Sequence, residues 1–433
     1  MITLKTIRNN AFARNSLILF AGSVVANLLN YFFHLYVGRM VSPQIYGEVE
    51  SLNALIIIIA VPAAALTMLA TKYSAHAKAE NDPHQTFRLM SFLNKKVFLY
   101  IFPVFIVALF LTPLVANFLK IESNFAIILF WILMFLSFIG AVNGGIMNGW
   151  QKFKDASWIG ILGTTVKLIS VIIFIQIGLS LNGIIGSFVL GSLIPYLATF
   201  YALRFIFKRK KDTNKNTETK IDFKSMKAYI LPVLFGNLAL NMLGNIDMVL
   251  AKHNLAPDLA GQYGALTIVS KIIFFGTGIV ATVLFSMAAE RNHQQRDSSK
   301  LFTYAALLVL GLSLFATFIY FLAPKFILSI LFGGKYSSIS SYLVWFAVLV
   351  TLFSLVNLVA QYLLSIHETK FVYLFLAIAI FASTAVLFAG SSISAILWIM
   401  ITAQFVALIC GLFFLKKQPK IYEPVDFYSG SRL

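Results

Sequence analysis

Asn27, Asn30, Tyr31 and His34 recur at three- and four-residue steps within one apolar run, so they share a face of a helix. Asn237, Asn241, Gly244 and Asn245 make a similar stripe in a later run, and Asn357 and Gln361 stand four residues apart in a third. Amides carry both donors and acceptors, so these faces suit either a polar ligand or hydrogen bonds to neighbouring helices. Ionisable groups inside apolar runs are costly and usually functional. Lys167 lies near the middle of its run with no acidic residue close in sequence. Lys271 and Asp247 fall at similar expected depth on consecutive runs, where they either pair or meet a ligand. The chemistry in view is recognition. His367-Glu368 has no second histidine four residues on, Gly183-x-x-Gly186 follows no strand, and there is no Walker lysine. The single Cys410 excludes a disulfide framework and a thiol-rich metal site. No cofactor or metal is implied.

The elements that must position these side chains are transmembrane helices. The 433 residues are 59% hydrophobic and 12% charged, against about 25% charged in soluble domains, and the mean hydropathy is +0.86. Runs long enough to cross a bilayer as helices recur at 16–37, 50–70, 97–119, 125–147, 157–178, 183–206, 229–251, 264–287, 302–322, 342–364, 371–389 and 393–415. A membrane β-barrel would instead show short alternating segments. The second run is the most irregular, with Glu48 and Glu50 at its entrance and Pro62 inside it. The run after basic Met1–Arg14 is too long for a signal-peptide core and reads as a retained first helix.

The net charge of +18 is distributed as membrane orientation requires, which argues against nucleic acid as a partner. With a cytosolic N-terminus and alternating loops, 27 Lys and Arg fall on the inner side and 5 on the outer, with Lys167 and Lys271 inside runs. That bias is the positive-inside signal and places both termini in the cytosol.

Residues 208–227, KRKKDTNKNTETKIDFKSMK, have no apolar periodicity and read as a basic cytosolic linker. The linker divides the chain into an N-terminal six-helix lobe (1–207), a C-terminal six-helix lobe (228–415) and a cytosolic tail (416–433). The lobes are repeats. At a constant offset of 214, Gly22 matches Gly236, Asn27 matches Asn241, Pro43 matches Pro257, Gly47 matches Gly261 and Leu52 matches Leu266. VSPQIYG (41–47) and LAPDLAG (255–261) follow the first run of each half, and Lys152-Phe153 corresponds to Lys370-Phe371. An offset spanning an even number of helices makes the repeat parallel, related by an axis along the membrane normal.

NIDMVLAKHNLAPDLAGQYGALTIVSKIIFF (245–275), ILSILFGGKY (327–336) and NGWQKF (148–153) resemble sequences of the polysaccharide-unit flippases. These belong to the multidrug/oligosaccharidyl-lipid/polysaccharide (MOP) exporter superfamily, and the resemblance covers nearly the whole chain. It implies an all-α integral membrane protein of the MATE-like fold, two six-helix lobes around a central cavity. The implied activity is translocation of a lipid-diphosphate-linked oligosaccharide across the cytoplasmic membrane by alternating access. The implied partners are a polyprenyl-diphosphate-linked saccharide, membrane lipids and other polysaccharide-assembly proteins.

Such a carrier needs sugar-compatible side chains and a cation for the diphosphate. Asn27, Asn30, His34, Asn237, Asn241, Asn245, Asn357 and Gln361 are candidates for the first role. Lys167, Lys271 and Asp247 are the ionisable candidates. A multidrug or organic-cation antiporter on the same architecture is the alternative, and it calls for a membrane-embedded carboxylate. The first run has no Asp or Glu, and only Asp247 faces the two lysines, which favours an anionic substrate. A membrane enzyme would need a sizeable aqueous loop carrying acid, base or metal ligands, and every outer loop is short. Gly140/Gly144 and Gly145/Gly149 read as close helix packing.

Overall fold

The computed structural model describes residues 11–207, 223–294, 296–366, 368–388 and 390–416, and their regular structure is helical. Residues 208–222 of the expected linker lie outside the described residues, as do 1–10 and 417–433 of the tails. The chain forms two compact units, Met1–Phe223 and Lys224–Leu433.

Unit 1 begins with α1 (Ala11–Met40), α2 (Pro43–Ile59) and α3 (Val61–Ala79), followed by α4 (Pro83–Phe110), a short α5 (Thr112–Leu119) and α6 (Asn124–Gly149). It ends with α7 (Phe153–Gln176), α8 (Ser180–Ala202) and a 3-10 turn at Arg204–Phe207. Unit 2 holds α9 (Phe223–Asn254), α10 (Pro257–His293), α11 (Ser299–Leu322) and a short α12 (Pro324–Phe332). A 3-10 segment (Gly334–Tyr342) then leads into α13 (Leu343–Ser365), α14 (Phe371–Leu387) and α15 (Ile393–Lys416).

Ten segments are long and apolar enough to cross a bilayer; the bent pair α2–α3 makes another, and the apolar α14 has 17 residues, enough for a thin span. Each of the twelve expected runs overlaps one of these, although the third, 97–119, begins inside Pro83–Phe110 and runs on across Leu111 into the separate α5. Large apolar side chains such as Phe110 (80% exposed) and Phe388 (85%) point outward, which a hydrocarbon medium accommodates and water does not.

The repeat recurs in the helix ends. The first helices end at Met40 and Asn254, the second begin at Pro43 and Pro257, and the following segments end at Ala79 and His293, all 214 apart. Ser42 and Ala256 take the same extended conformation before the proline, and Ser42 Oγ also accepts from the Ile45 amide at 3.4 Å. A proline in the first helical turn loses no intrahelical bond, so the turn stays tight. α7 and α14 likewise begin at the two corresponding Lys-Phe pairs.

Three expectations need correction. The second span starts at Pro43, so Glu48 and Glu50 are not at its entrance but inside a helix and buried. Flanking polarity masked its first two turns in the sequence. The eighth span starts at Pro257 instead of 264, which puts Lys271 fourteen residues into α10 and deeper than Asp247. The glycine patterns in α6 also differ. A Cβ on Gly145 would sit 2.5 Å from the Thr67 carbonyl and one on Gly149 2.6 Å from that of Thr71, both in α3, whereas Gly140 and Gly144 face open space. Only the first pair lets two helices approach.

Candidate functional site

In unit 1 the polar groups meet where α1, α2, α7 and α8 pack. His34 Nδ1 lies 2.6 Å from Glu50 Oε1, and both side chains are buried. With the carboxylate ionised, Nδ1–H donates to it. The pair follows from the turn: His34 and Glu50 each stand eight residues from Ser42, so antiparallel helices bring them to one level.

One turn of α1 earlier, the Asn30 carbonyl Oδ1 accepts from Lys167 Nζ, which comes from α7. The ammonium lies 4.3 Å from the ring centre of Phe33 and 4.6 Å from that of Phe188. Glu50 also acts on it electrostatically. The lysine stem rests on α8 at Gly191, where a Cβ would come within 2.8 Å of Lys167 Cβ. A lysine at mid-bilayer costs about 2.5–3.5 kcal/mol. A desolvated cation–ring contact returns up to about 2 kcal/mol, and a hydrogen bond to a charged group about 1.5–3 kcal/mol. The charge can therefore be held inside unit 1 without touching a carboxylate. Asn27, on the same helix, is exposed.

Unit 2 builds an analogous arrangement with different groups. Tyr263 OH of α10 donates to Asp247 Oδ2 of α9 at 2.8 Å, and both are buried. These residues are also 16 apart, as His34 and Glu50 are, and each is eight from Leu255. Phe346 of α13 packs edge-on against the tyrosine ring at 4.9 Å. Asp247 Oδ1 is buried without a hydrogen-bond partner. Lys271 Nζ donates to Asn245 Oδ1 at 2.8 Å, two residues from Asp247 on α9.

The Asn237, Asn241 and Asn245 amides form a ladder, each Nδ2 donating to the carbonyl four residues earlier at 2.8–3.0 Å. Donors spent on their own helix leave an acceptor-rich stripe, half-buried at Asn237 and Asn241. Gln404 of α15 braces α9 by donating to the Leu243 carbonyl at 2.8 Å. Asn357 and Gln361 are half-buried on α13, outside both clusters.

Sequence reasoning therefore singled out both partners of the Lys167–Asn30 and Lys271–Asn245 contacts but one side of the other two. It missed Glu50, Tyr263, Phe33 and Phe188. Equal distance from Ser42 in the Ser-Pro turn was the available signal for Glu50, and near-equal distance from the Ala-Pro turn that for Tyr263; Phe188 had none.

A family model described as polysaccharide biosynthesis protein matches residues 12–285, the helices of unit 1 together with α9 and most of α10. No curated protein matches the chain. Among solved structures, an inward-facing multidrug resistance MATE family transporter of the MOP superfamily is similar, with TM-score 0.71, 15% identity, and coverage of 90% of this chain and 94% of that one. An outward-facing conformation of such a transporter is similar with TM-score 0.59, 16% identity and coverage of 93% and 94%. So is a MOP superfamily transporter from Pyrococcus furiosus described as having a binding pocket of reverse polarity, with TM-score 0.59, 15% identity and coverage of 93% and 94%. At these identities the likeness is one of fold.

Proposed function

We infer function from a fixed premise: the chain belongs to the polysaccharide biosynthesis protein family, and its fold is that of the MOP-superfamily transporters. On that premise we propose that it is a carrier, not an enzyme, that moves a lipid-diphosphate-linked oligosaccharide across the cytoplasmic membrane by alternating access. The observation that supports this most is the pairing, in each unit, of a lysine with an asparagine on the first helix: Lys167 with Asn30 and Lys271 with Asn245. A diphosphate can displace an amide from an ammonium because a charge-assisted contact is the stronger one. The acceptor-rich stripe of α9 and the exposed Asn27 suit sugar hydroxyls. Depleting the protein in its host should leave lipid-linked saccharide accumulating on the inner leaflet. Undiminished export of the polymer after depletion would overturn the proposal.

The same reading puts both termini and residues 208–227 in the cytosol. In a Cys410→Ser background, Asn216→Cys should resist an impermeant thiol reagent in intact cells and react once the membrane is opened. Labelling in intact cells would contradict that orientation.

A second reading has an observation of its own. Glu50 and Asp247 are carboxylates buried in apolar segments, the feature an organic-cation antiporter would use. Efflux of an organic cation by purified protein, lost in Glu50→Gln, would favour it.

A further inference from the structure

Three connections of unit 1 gather at the end from which the chain leaves toward residue 208. Lys78, in the last turn of α3, donates to Gln151 Oε1 at 2.7 Å, joining the α3–α4 and α6–α7 turns. Trp150 Nε1 donates to Thr86 Oγ1 at 2.9 Å, and its ring packs on Phe205 of the 3-10 turn at 4.7 Å. Phe87 meets Phe207 at 5.6 Å. The floor of this end is thus aromatic, and cations lie on it. Lys152 Nζ sits 5.1 Å above the Phe205 ring, and the Arg204 guanidinium 4.5 Å above Tyr201, whose ring is 70% exposed. Gln151 is held at φ 56, a left-handed conformation uncommon outside glycine, which orients its amide toward Lys78.

The corresponding end of unit 2 is also basic but lacks the Trp150–Phe205 floor. Its two inter-helix connections carry Arg291, Arg296, Lys300 and Lys370 against Glu290, Asp297 and Glu368, and Lys416 ends α15. Those of unit 1 carry Lys72, Lys78, Arg88, Lys152, Lys154 and Arg204 against Glu80, Asp82 and Asp155. Two of these acids are engaged locally: Asp82 caps α4 by accepting from the His84 and Gln85 amides, and Asp155 lies 3.9 Å from Lys152. The cation-over-ring contacts of Lys96, Lys152, Lys167 and Arg204 all lie in unit 1.

We propose that this basic, aromatic-floored end of unit 1 is a docking surface for the phosphate headgroup of anionic phospholipid. Charge and position both fit that occupant. Aromatic rings at helix ends mark the membrane interface, where an anionic headgroup meets each nearby Lys or Arg. Arg204 offers a planar fork to a phosphate, and Lys78 and Lys152 supply flanking point charges. The surface is separate from the Lys167 and Lys271 clusters and does not depend on the transported substrate.

The test uses the full-length protein in mixed micelles of phosphatidylglycerol and phosphatidylcholine, with retained lipid counted by native mass spectrometry. Wild type should retain phosphatidylglycerol selectively, less so at high salt. Lys78→Gln, Lys152→Gln and Arg204→Gln should each weaken retention roughly fivefold, as expected for one interfacial cation. The charge-preserving set Lys78→Arg and Lys152→Arg should keep it. Arg291→Gln with Arg296→Gln and Lys300→Gln should leave selectivity unchanged. Should combining the Gln changes in unit 1 impair folding, the exposed Arg204→Gln alone is read. Wild-type retention in the unit 1 variants, or equal loss in the unit 2 variant, would overturn the proposal.

Discussion

Residues 43–79 of unit 1 and 257–293 of unit 2 are the same length at the same repeat offset, yet the first is two helices bent by 42° and the second is one helix. Pro62 stands where Gly276 stands. The proline removes one backbone donor and crowds the preceding turn, and the glycine does neither. The bridges across the two turns differ in the same spirit. Both span 16 residues, but unit 1 sets a base on the first helix against an acid on the second, and unit 2 an acid on the first against a phenol on the second. A duplicated scaffold has kept its turns and its level of contact while exchanging which helix carries the carboxylate. The polarity of each interior is therefore tuned by side chains within a fixed backbone plan.

The comparison can be broken by removing the bridges. Glu50→Ala takes one partner from a buried ionisable pair and should cost about 3–5 kcal/mol, read as a lower melting temperature in detergent. Gly276→Pro should give unit 2 the bend of unit 1, at about 3 kcal/mol for a helix-interior proline. Spin labels at exposed positions on either side of residue 276 should move closer by an amount set by the bend. An unchanged distance would mean that Pro62 is not what bends unit 1. Tyr263→Phe leaves a second oxygen of buried Asp247 without a donor and should cost about 1–3 kcal/mol, less than Glu50→Ala. The reverse order would make the unit 2 bridge the stronger.

The smallest effect lies in the α10–α11 turn. Asp297 accepts from the Ser299 amide and hydroxyl at 2.8 and 2.7 Å, and these bonds hold its carboxyl below the usual range. A depressed carboxylate stabilises the fold above its unfolded pKa, and that contribution is lost as pH falls through the lower, folded value. Solvent exposure keeps it below about 1 kcal/mol. Asp297→Asn should lower the melting temperature slightly at pH 7 and leave it unchanged near pH 2.

Hydropathy made the helices legible because a bilayer demands unbroken apolar length, and the turn sequences made the repeat legible because Pro43 and Pro257 fix its register. The beginnings of α2 and α10 were hidden. Glu48, Glu50, Asp258 and Gln262 lower local hydropathy while the helix continues through them. Asn30 and Lys167 could be singled out by type, but their meeting depends on α1 packing against α7, which no local pattern encodes. The rings around Lys167 were invisible among 42 phenylalanines.

The most direct test of the transport reading is the movement of a lipid-diphosphate-linked oligosaccharide across the bilayer of vesicles reconstituted with purified protein. Wild type should translocate it, Lys167→Arg should retain part of the rate, and Lys167→Ala should lose it while reconstituting normally. A full rate in Lys167→Ala would remove that cation from the mechanism. A wild-type protein that leaves the saccharide lipid in place would contradict the account itself.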